Sequence, residues 1–376
     1  MFRWVIPVSG HFKNLLAIVP PIRQLAGESL SQKWRTDRPE LVFAYPIDAT
    51  FIRADLDLMN TFCDVVPIHF TGPSMYPSLL RAISETDLVV TWFALEFSAV
   101  ANLAAKALGK GSVLMAGGWD VVGIPEINYG RLLTLRGRVS SRVALSSADS
   151  VLAFSDWSAA QIRRLVPNAR VRRTYLGVDT SRFVPGTKER LVVCVAHVSR
   201  ENISRKGLRD FVKAASHVPD ARFILVGKHW DGSVDELRRL AGENVEFPGR
   251  LSDTELRNLL ARAKVYVQPS YTEGFGLAVV EAMSAGCVPV VTESGALAEV
   301  VGDAGYLVRY GEVEEIAAAI RGALDSPTKV GPRRRVEERF TLDQRARELR
   351  GLIMELWRKI VNPSRFPAQG SGQGST

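Results

Sequence analysis

Apolar runs of strand length alternate with stretches of helical period along most of the chain, and this alternation restricts the fold more than any other feature. In the first half the runs are Trp4 to Val8, Leu41 to Ala44, Val65 to His69, Leu88 to Trp92, Val113 to Ala116 and Val151 to Phe154. Between them Ser98 to Leu108 and Leu132 to Leu145 read as helices, and Pro20-Pro21 limits or kinks whatever helix follows the first strand. Strands and helices in turn favour a parallel sheet with crossover helices on its faces.

The pattern breaks at Phe183-Val184-Pro185-Gly186-Thr187 and restarts with Leu191 to Ala196. A second cycle follows through Arg222 to Val226, Val245 to Phe247, Val265 to Gln268 and Val288 to Thr292. A length of 376 residues exceeds one ordinary core, so two doubly wound α/β domains are expected, 1–186 and 187–340. Leu342, Ala346, Leu349, Ile353, Leu356 and Ile360 recur at helical spacing, which predicts a terminal helix over 341–362 that packs back toward the N-terminal domain. The final stretch, 363–376, ends in a polar, Gly-rich run expected to be disordered.

With 46% hydrophobic and 23% charged residues the chain has a globular profile. Its apolar runs fall short of the roughly 20 residues of a membrane-spanning helix, and the N-terminus lacks a secretory signal, so a cytoplasmic protein is expected. Cys63, Cys194 and Cys287 show neither metal-ligand spacing nor the density of a disulfide scaffold. A net charge of +8 suits nucleotides, anionic lipids or nucleic acid and does not choose among them. From Ile127 to Ala148 the chain carries Arg131, Arg136, Arg138 and Arg142 and no acidic residue. That stretch reads either as a solvated helix face or as a basic amphipathic helix on the anionic inner face of a membrane.

The segment richest in chemistry runs from Val265-Tyr266-Val267-Gln268-Pro269-Ser270 into Tyr271-Thr272-Glu273-Gly274-Phe275-Gly276-Leu277 and a helix containing Glu281. A turn of this kind offers unpaired amides and the positive end of a helix to an anion such as phosphate. Glycines at 274 and 276 let the main chain approach a ligand closely. Glu273 and Glu281, with seven residues between them, can accept hydrogen bonds from sugar or ribose hydroxyls. As isolated residues they read equally well as a helix-start acid and a solvated one.

The Glu-x7-Glu spacing, with Glu281-Ala282-Met283-Ser284-Ala285-Gly286, Pro289-Val290-Val291 and Glu299-Val300-Val301 behind it, resembles the retaining glycosyltransferases of family 4. Arg200 and Lys206-Gly207, after the first strand of the second half, are similar to that family's Arg and Lys-Gly pair. The resemblance is strong over about 190–325 and only in outline before that. It implies the GT-B fold, two Rossmann-like domains facing a central cleft. It further implies transfer of a sugar from a nucleoside diphosphate sugar to an acceptor hydroxyl, with retention of configuration.

By that resemblance Glu281 would hold the nucleotide ribose and Glu273 the transferred sugar, with Phe275, Gly276 and Leu277 giving backbone contacts. Arg250 and Leu251 would lie near the base, and Arg200 and Lys206 would stabilise the departing diphosphate without a metal or other cofactor. Three departures stand out. The loop after the first strand offers only Ser9-Gly10-His11, Leu176 replaces a frequent Asn, and Asp120 follows Ala116-Gly117-Gly118-Trp119 where many relatives have a His near the reaction centre. Asp120 reads either as a group that orients a donor hydroxyl or assists the acceptor, or as a helix N-cap. The acceptor, a glycan, lipid or small molecule, is left open, and nucleic acid is not expected as a partner. A non-catalytic nucleotide-sugar or anion-binding protein is the alternative, and a nicotinamide oxidoreductase lacks its Gly-x-Gly-x-x-Gly fingerprint here.

Overall fold

The computed structural model describes residues 38–326 and 331–362. The expected strand at Trp4 to Val8, the Ser9-Gly10-His11 loop, Pro20-Pro21 and the 363–376 tail lie outside the described residues.

Two six-stranded parallel sheets carry the fold. The first is built from β1 (Glu40–Tyr45), β2 (Asp64–His69), β3 (Leu88–Trp92), β4 (Gly111–Ala116), β5 (Ser150–Ala153) and β6 (Val171–Arg173), in the order β2-β1-β3-β4-β5-β6. The second contains β7 (Glu189–Val195), β8 (Arg222–Val226), β9 (Val245–Gly249), β10 (Ala263–Gln268), β11 (Val288–Thr292) and β12 (Tyr306–Val308), in the order β12-β11-β10-β7-β8-β9.

Strands covered by helices on both faces have no polar side to alternate with, which is why the sequence runs were continuously apolar. Every residue of β3, β4 and β11 is buried. Helices Leu208–Ser216 and Val313–Asp325 place Phe211, Val212, Ile316 and Ile320 in the core of the second sheet, where Phe211 meets Phe223 of β8 with ring centroids 5.5 Å apart. The three cysteines are buried and unpaired.

By compactness the described chain falls into two units, one of 116–139 and 152–345, the other of 38–115, 140–151 and 346–362. In the second of these the terminal helix, Leu342–Val361, lends Trp357, whose indole N–H donates to the Asp87 carboxylate at 2.9 Å beside the start of β3.

The position of the candidate site follows from the second sheet. Strand β7 lies between β10 and β8, so the chain's winding reverses at the β7/β10 pair, with Val192 opposite Val265 and Val193 opposite Tyr266. Loops leaving the carboxyl ends of two such strands diverge to opposite sides and open a crevice, the usual ligand position in open α/β sheets. Here those loops are His197 to Gly207 after β7 and Pro269 to Gly276 after β10.

Candidate functional site

Lys206 and Glu273, far apart in sequence, form an ion pair between these two loops, with only 18% and 12% of their side chains exposed. The carboxylate of Glu273 also accepts from Ser270 Oγ at 2.8 Å and Gln268 Nε2 at 3.2 Å. Gln268 is oriented in turn, since Tyr266 Oη donates to its Oε1 at 2.9 Å and its Nε2 donates to Ser270 Oγ at 2.7 Å. Burial pushes the Glu273 carboxyl up, but Lys206, Arg205 and the hydrogen bonds outweigh it and hold the group below the usual range, ionised. Burial pulls the Lys206 ammonium down, opposed by the charge of Glu273.

The two loops are also joined through the main chain. The amide of Tyr271 donates to the Arg205 carbonyl at 2.8 Å. Gly207 has φ +61°, and a Cβ there would lie 2.0 Å from the carbonyl oxygen of Pro269. Only glycine meets both conditions.

Beside the pair, Arg205 lies over the ring of Tyr129 at 4.9 Å, its guanidinium fixed by Asn202 Oδ1 at 2.7 and 3.1 Å. The Tyr129 phenol is pushed up to about 12, by burial first and then by Glu273 and Asp120 against the opposing charge of Arg205.

After Glu273 the main chain turns through Gly274 and Phe275 to Gly276, which has φ +98° and precedes helix Leu277–Ser284. Phe275 is buried among Tyr175 and Phe340, with centroids 6.0 and 5.6 Å away. Among the described residues, the amides of Gly274, Phe275 and Gly276 find no acceptor. A row of unmatched donors beside a helix start is what an anion or a sugar hydroxyl can use.

Glu281 lies one turn into that helix. Burial raises its carboxyl to about 7, Arg182 acting against the rise and Asp253 with it. No hydrogen bond to this carboxylate is made among the described residues.

The remaining expected residues divide. Arg200 is exposed; its amide donates to Asp231 Oδ2 at 3.1 Å, while its guanidinium makes no hydrogen bond or ion pair among the described residues. Arg250 is exposed and lends positive charge at His197, whose imidazole is pulled down by burial, then by Arg250, Lys206 and Lys228. Leu251 is half-buried ahead of the Ser252 capping box. Asp120 is fully buried, accepting from the amides of Gly118 at 3.1 Å and Gly117 at 3.3 Å. Leu277 is half-buried at the helix start, and Gly10 lies outside the described residues. Sequence reading passed over Arg205, Tyr129, Gln268 and Ser270. The alternation of Gln268 and Ser270, two polar positions on one side at the end of an apolar strand, was the available signal.

Residues 189–326 match the family model described as Glycosyl transferases group 1. Among curated relatives, the chain is 36% identical to the MMP alpha-(1->4)-mannosyltransferase of Mycolicibacterium hassiacum over 179 residues, 43% of either chain. The chain spans about half the length of the curated relatives it matches. Among solved structures, sucrose-phosphate synthase from Thermosynechococcus elongatus superposes with a TM-score of 0.68 at 18% identity, over 85% of this chain and 99% of that one. Anabaena Alr3699/HepE, in complex with UDP and glucose, gives a TM-score of 0.66 at 18% identity, over 85% of this chain and all of the other. The fold shared with these two structures is GT-B.

Proposed function

We propose that the chain is a glycosyltransferase that moves a hexosyl group from a nucleoside diphosphate sugar to an acceptor hydroxyl with retention of configuration. The observation that carries this reading is the buried Lys206–Glu273 pair beside three unmatched amides at the β7/β10 reversal. Glu273 accepts from hydroxyls of the transferred sugar. The Phe275 and Gly276 amides and the start of helix Leu277–Ser284 face the sugar and phosphates. Glu281 takes the ribose hydroxyls, and Arg250 with Leu251 borders the base.

As the glycosidic bond to phosphate breaks, negative charge gathers on the departing diphosphate. Lys206 lies within this site, and the guanidinium of Arg200, which makes no hydrogen bond or ion pair among the described residues, reaches the same oxygens, so one held and one adjustable cation stabilise the leaving group. The half-buried Arg205 beside them adds to the positive field. Turnover is expected to survive chelation of divalent metals. Asp120, whose carboxylate is already engaged by two amides, shapes the Gly117-Gly118 loop.

Relatives named as mannosyltransferases and the solved complex of HepE with UDP and glucose support a nucleoside diphosphate hexose. Calorimetric titration with UDP, GDP and ADP, followed by release of the diphosphate from UDP-glucose and GDP-mannose, tests the reading. Binding without release of diphosphate would favour the non-catalytic alternative, and absence of nucleotide binding would end the proposal.

The acceptor is proposed to lie on an anionic membrane surface. Helix Leu135–Ser147 leaves Leu135 77% and Val139 40% exposed beside the exposed Arg136, Arg138 and Arg142. Apolar side chains flanked by arginines suit the headgroup region of an anionic bilayer. No helix among the described residues is long and apolar enough to cross a membrane.

A further inference from the structure

The carbonyl of Gly274, on the acidic turn, is held by two serine hydroxyls. Ser155 Oγ lies 2.9 Å from it and Ser158 Oγ 3.0 Å. Ser158 Oγ is also 2.6 Å from the carbonyl oxygen of Gly117, and Ser155 Oγ accepts from the Ser158 amide at 3.0 Å. Both serines are fully buried, at the start of helix Asp156–Leu165.

Two hydroxyl protons serve these acceptors. The shorter distance gives the Ser158 proton to Gly117; the Ser155 proton then has Ser158 Oγ and the Gly274 carbonyl both at 2.9 Å, and it serves Gly274, whose carbonyl has no other donor among the described residues once Ser158 is turned to Gly117. Gly274 and Gly117 are themselves packed together, since a Cβ on Gly274 would lie 2.1 Å from the Gly117 oxygen.

A peptide unit is planar and trans, so fixing the direction of its C=O fixes the N–H of the next residue on the opposite side. Holding the Gly274 carbonyl toward the serines therefore turns the Phe275 N–H away from them. That amide is one of the three without an acceptor among the described residues. The flanking glycines give this turn little resistance of its own to rotating the peptide.

We infer that Ser155 and Ser158 are positioning residues: their hydroxyls fix the Gly274–Phe275 peptide so that its N–H faces the donor, and bind the Gly117 loop to the same turn. The serines touch no substrate. This rests on the glycosyltransferase reading above. Glu299 supports the arrangement from behind, its carboxylate accepting from the Asp156 amide at 2.9 and 3.0 Å and from Tyr175 Oη at 2.9 Å.

The test uses the full chain with Ser158→Ala, Ser155→Gly and Ser155→Thr. Glycine keeps most of the helix start while removing the hydroxyl, and threonine keeps both. Steady-state release of diphosphate from whichever of UDP-glucose and GDP-mannose the parent turns over is compared with calorimetric binding of the free diphosphate. Misorientation of a contact made at the reacting centre predicts kcat lower by on the order of 10- to 100-fold in Ser158→Ala and Ser155→Gly. Free-nucleotide affinity stays within about twofold, because Glu281 and Lys206 are untouched, and Ser155→Thr recovers the rate.

Parent-like kcat in both hydroxyl-free variants overturns the inference, as does a loss of rate matched by equal weakening of nucleotide binding. Should Ser158→Ala not fold, the Ser155 pair decides by the same criteria. A parent that neither binds diphosphates nor turns over either donor removes the glycosyltransferase reading itself, and this inference with it.

Discussion

Glu281 makes the sharpest residue-level prediction, because its carboxyl sits at about 7 when an ordinary glutamate lies near 4.5. A raised carboxyl means that the folded chain holds the proton more tightly than the unfolded one. Its contribution to stability is therefore complete below the unfolded value and declines as pH rises through 7. Spread over that interval the loss is up to about 3 kcal/mol, and Glu281→Gln should flatten this part of a stability profile measured by urea unfolding. Nucleotide binding has the opposite slope. Ribose hydroxyls need an ionised acceptor, so affinity should weaken below pH 7 by up to about tenfold per unit. The difference between parent and Glu281→Gln titrations isolates this from titration of the phosphate, and superimposable profiles would contradict the assigned role.

The Lys206–Glu273 pair behaves differently because both partners are largely enclosed. Removing Lys206 leaves Glu273 charged with only Arg205 and the Ser270 and Gln268 hydrogen bonds to offset it, at a cost of up to about 3 kcal/mol for Lys206→Met, whereas Lys206→Met with Glu273→Gln should recover much of it. Denaturant midpoints for the single and double variants check this, and both should lack transfer activity.

At the level of elements, Gly274 is constrained by space rather than by dihedral angle. An alanine there drives its methyl against the backbone of Gly117 and Gly118, at 2.1 and 2.9 Å, where no flexible side chain can yield. Gly274→Ala should reduce diphosphate release by on the order of 100-fold, since displacements near 1 Å at a reacting centre have effects of that size. An active variant would show that this close approach is dispensable.

Strands were the legible elements: β1 to β5 and β7 to β11 fall on the apolar runs, in most because burial on both faces writes itself continuously into sequence, while the edge strands β2 and β9, largely uncovered, showed through short runs containing Val, Ile or Phe. β6 and β12 were missed for the same reason inverted. Each has three residues at a sheet edge, and β6 reads Val171-Arg172-Arg173, with too little buried surface to leave a run. Helix Arg200–Arg205 is likewise polar apart from Ile203. In the site, the convergence of Lys206 on Glu273 was readable only through family resemblance, since periodicity does not say which strands become neighbours. Arg205, Tyr129 and the two serines were silent because their roles depend on contacts between segments remote in sequence.

For the molecule as a whole, the exposed Leu135 and Val139 among arginines make a prediction about surfaces. Vesicles of phosphatidylglycerol should retain the protein and vesicles of phosphatidylcholine should not. Salt should release it, since screening shortens the reach of exposed charge to about 8 Å at physiological ionic strength. Leu135→Ser with Val139→Ser should reduce retention, while diphosphate binding is unchanged. Retention equal on both lipids, or in both proteins, would remove the membrane from the proposal.

The contact of Gly207 with Pro269 bears on how such a molecule can move. With Gly207 packed against Pro269 and the Tyr271 amide bonded to the Arg205 carbonyl, the cation and the carboxylate sit on loops that are already joined. A sugar nucleotide would thus meet a charge pattern already assembled before it arrives. Little rearrangement of the lysine–glutamate axis then remains to be done when the bond to phosphate breaks.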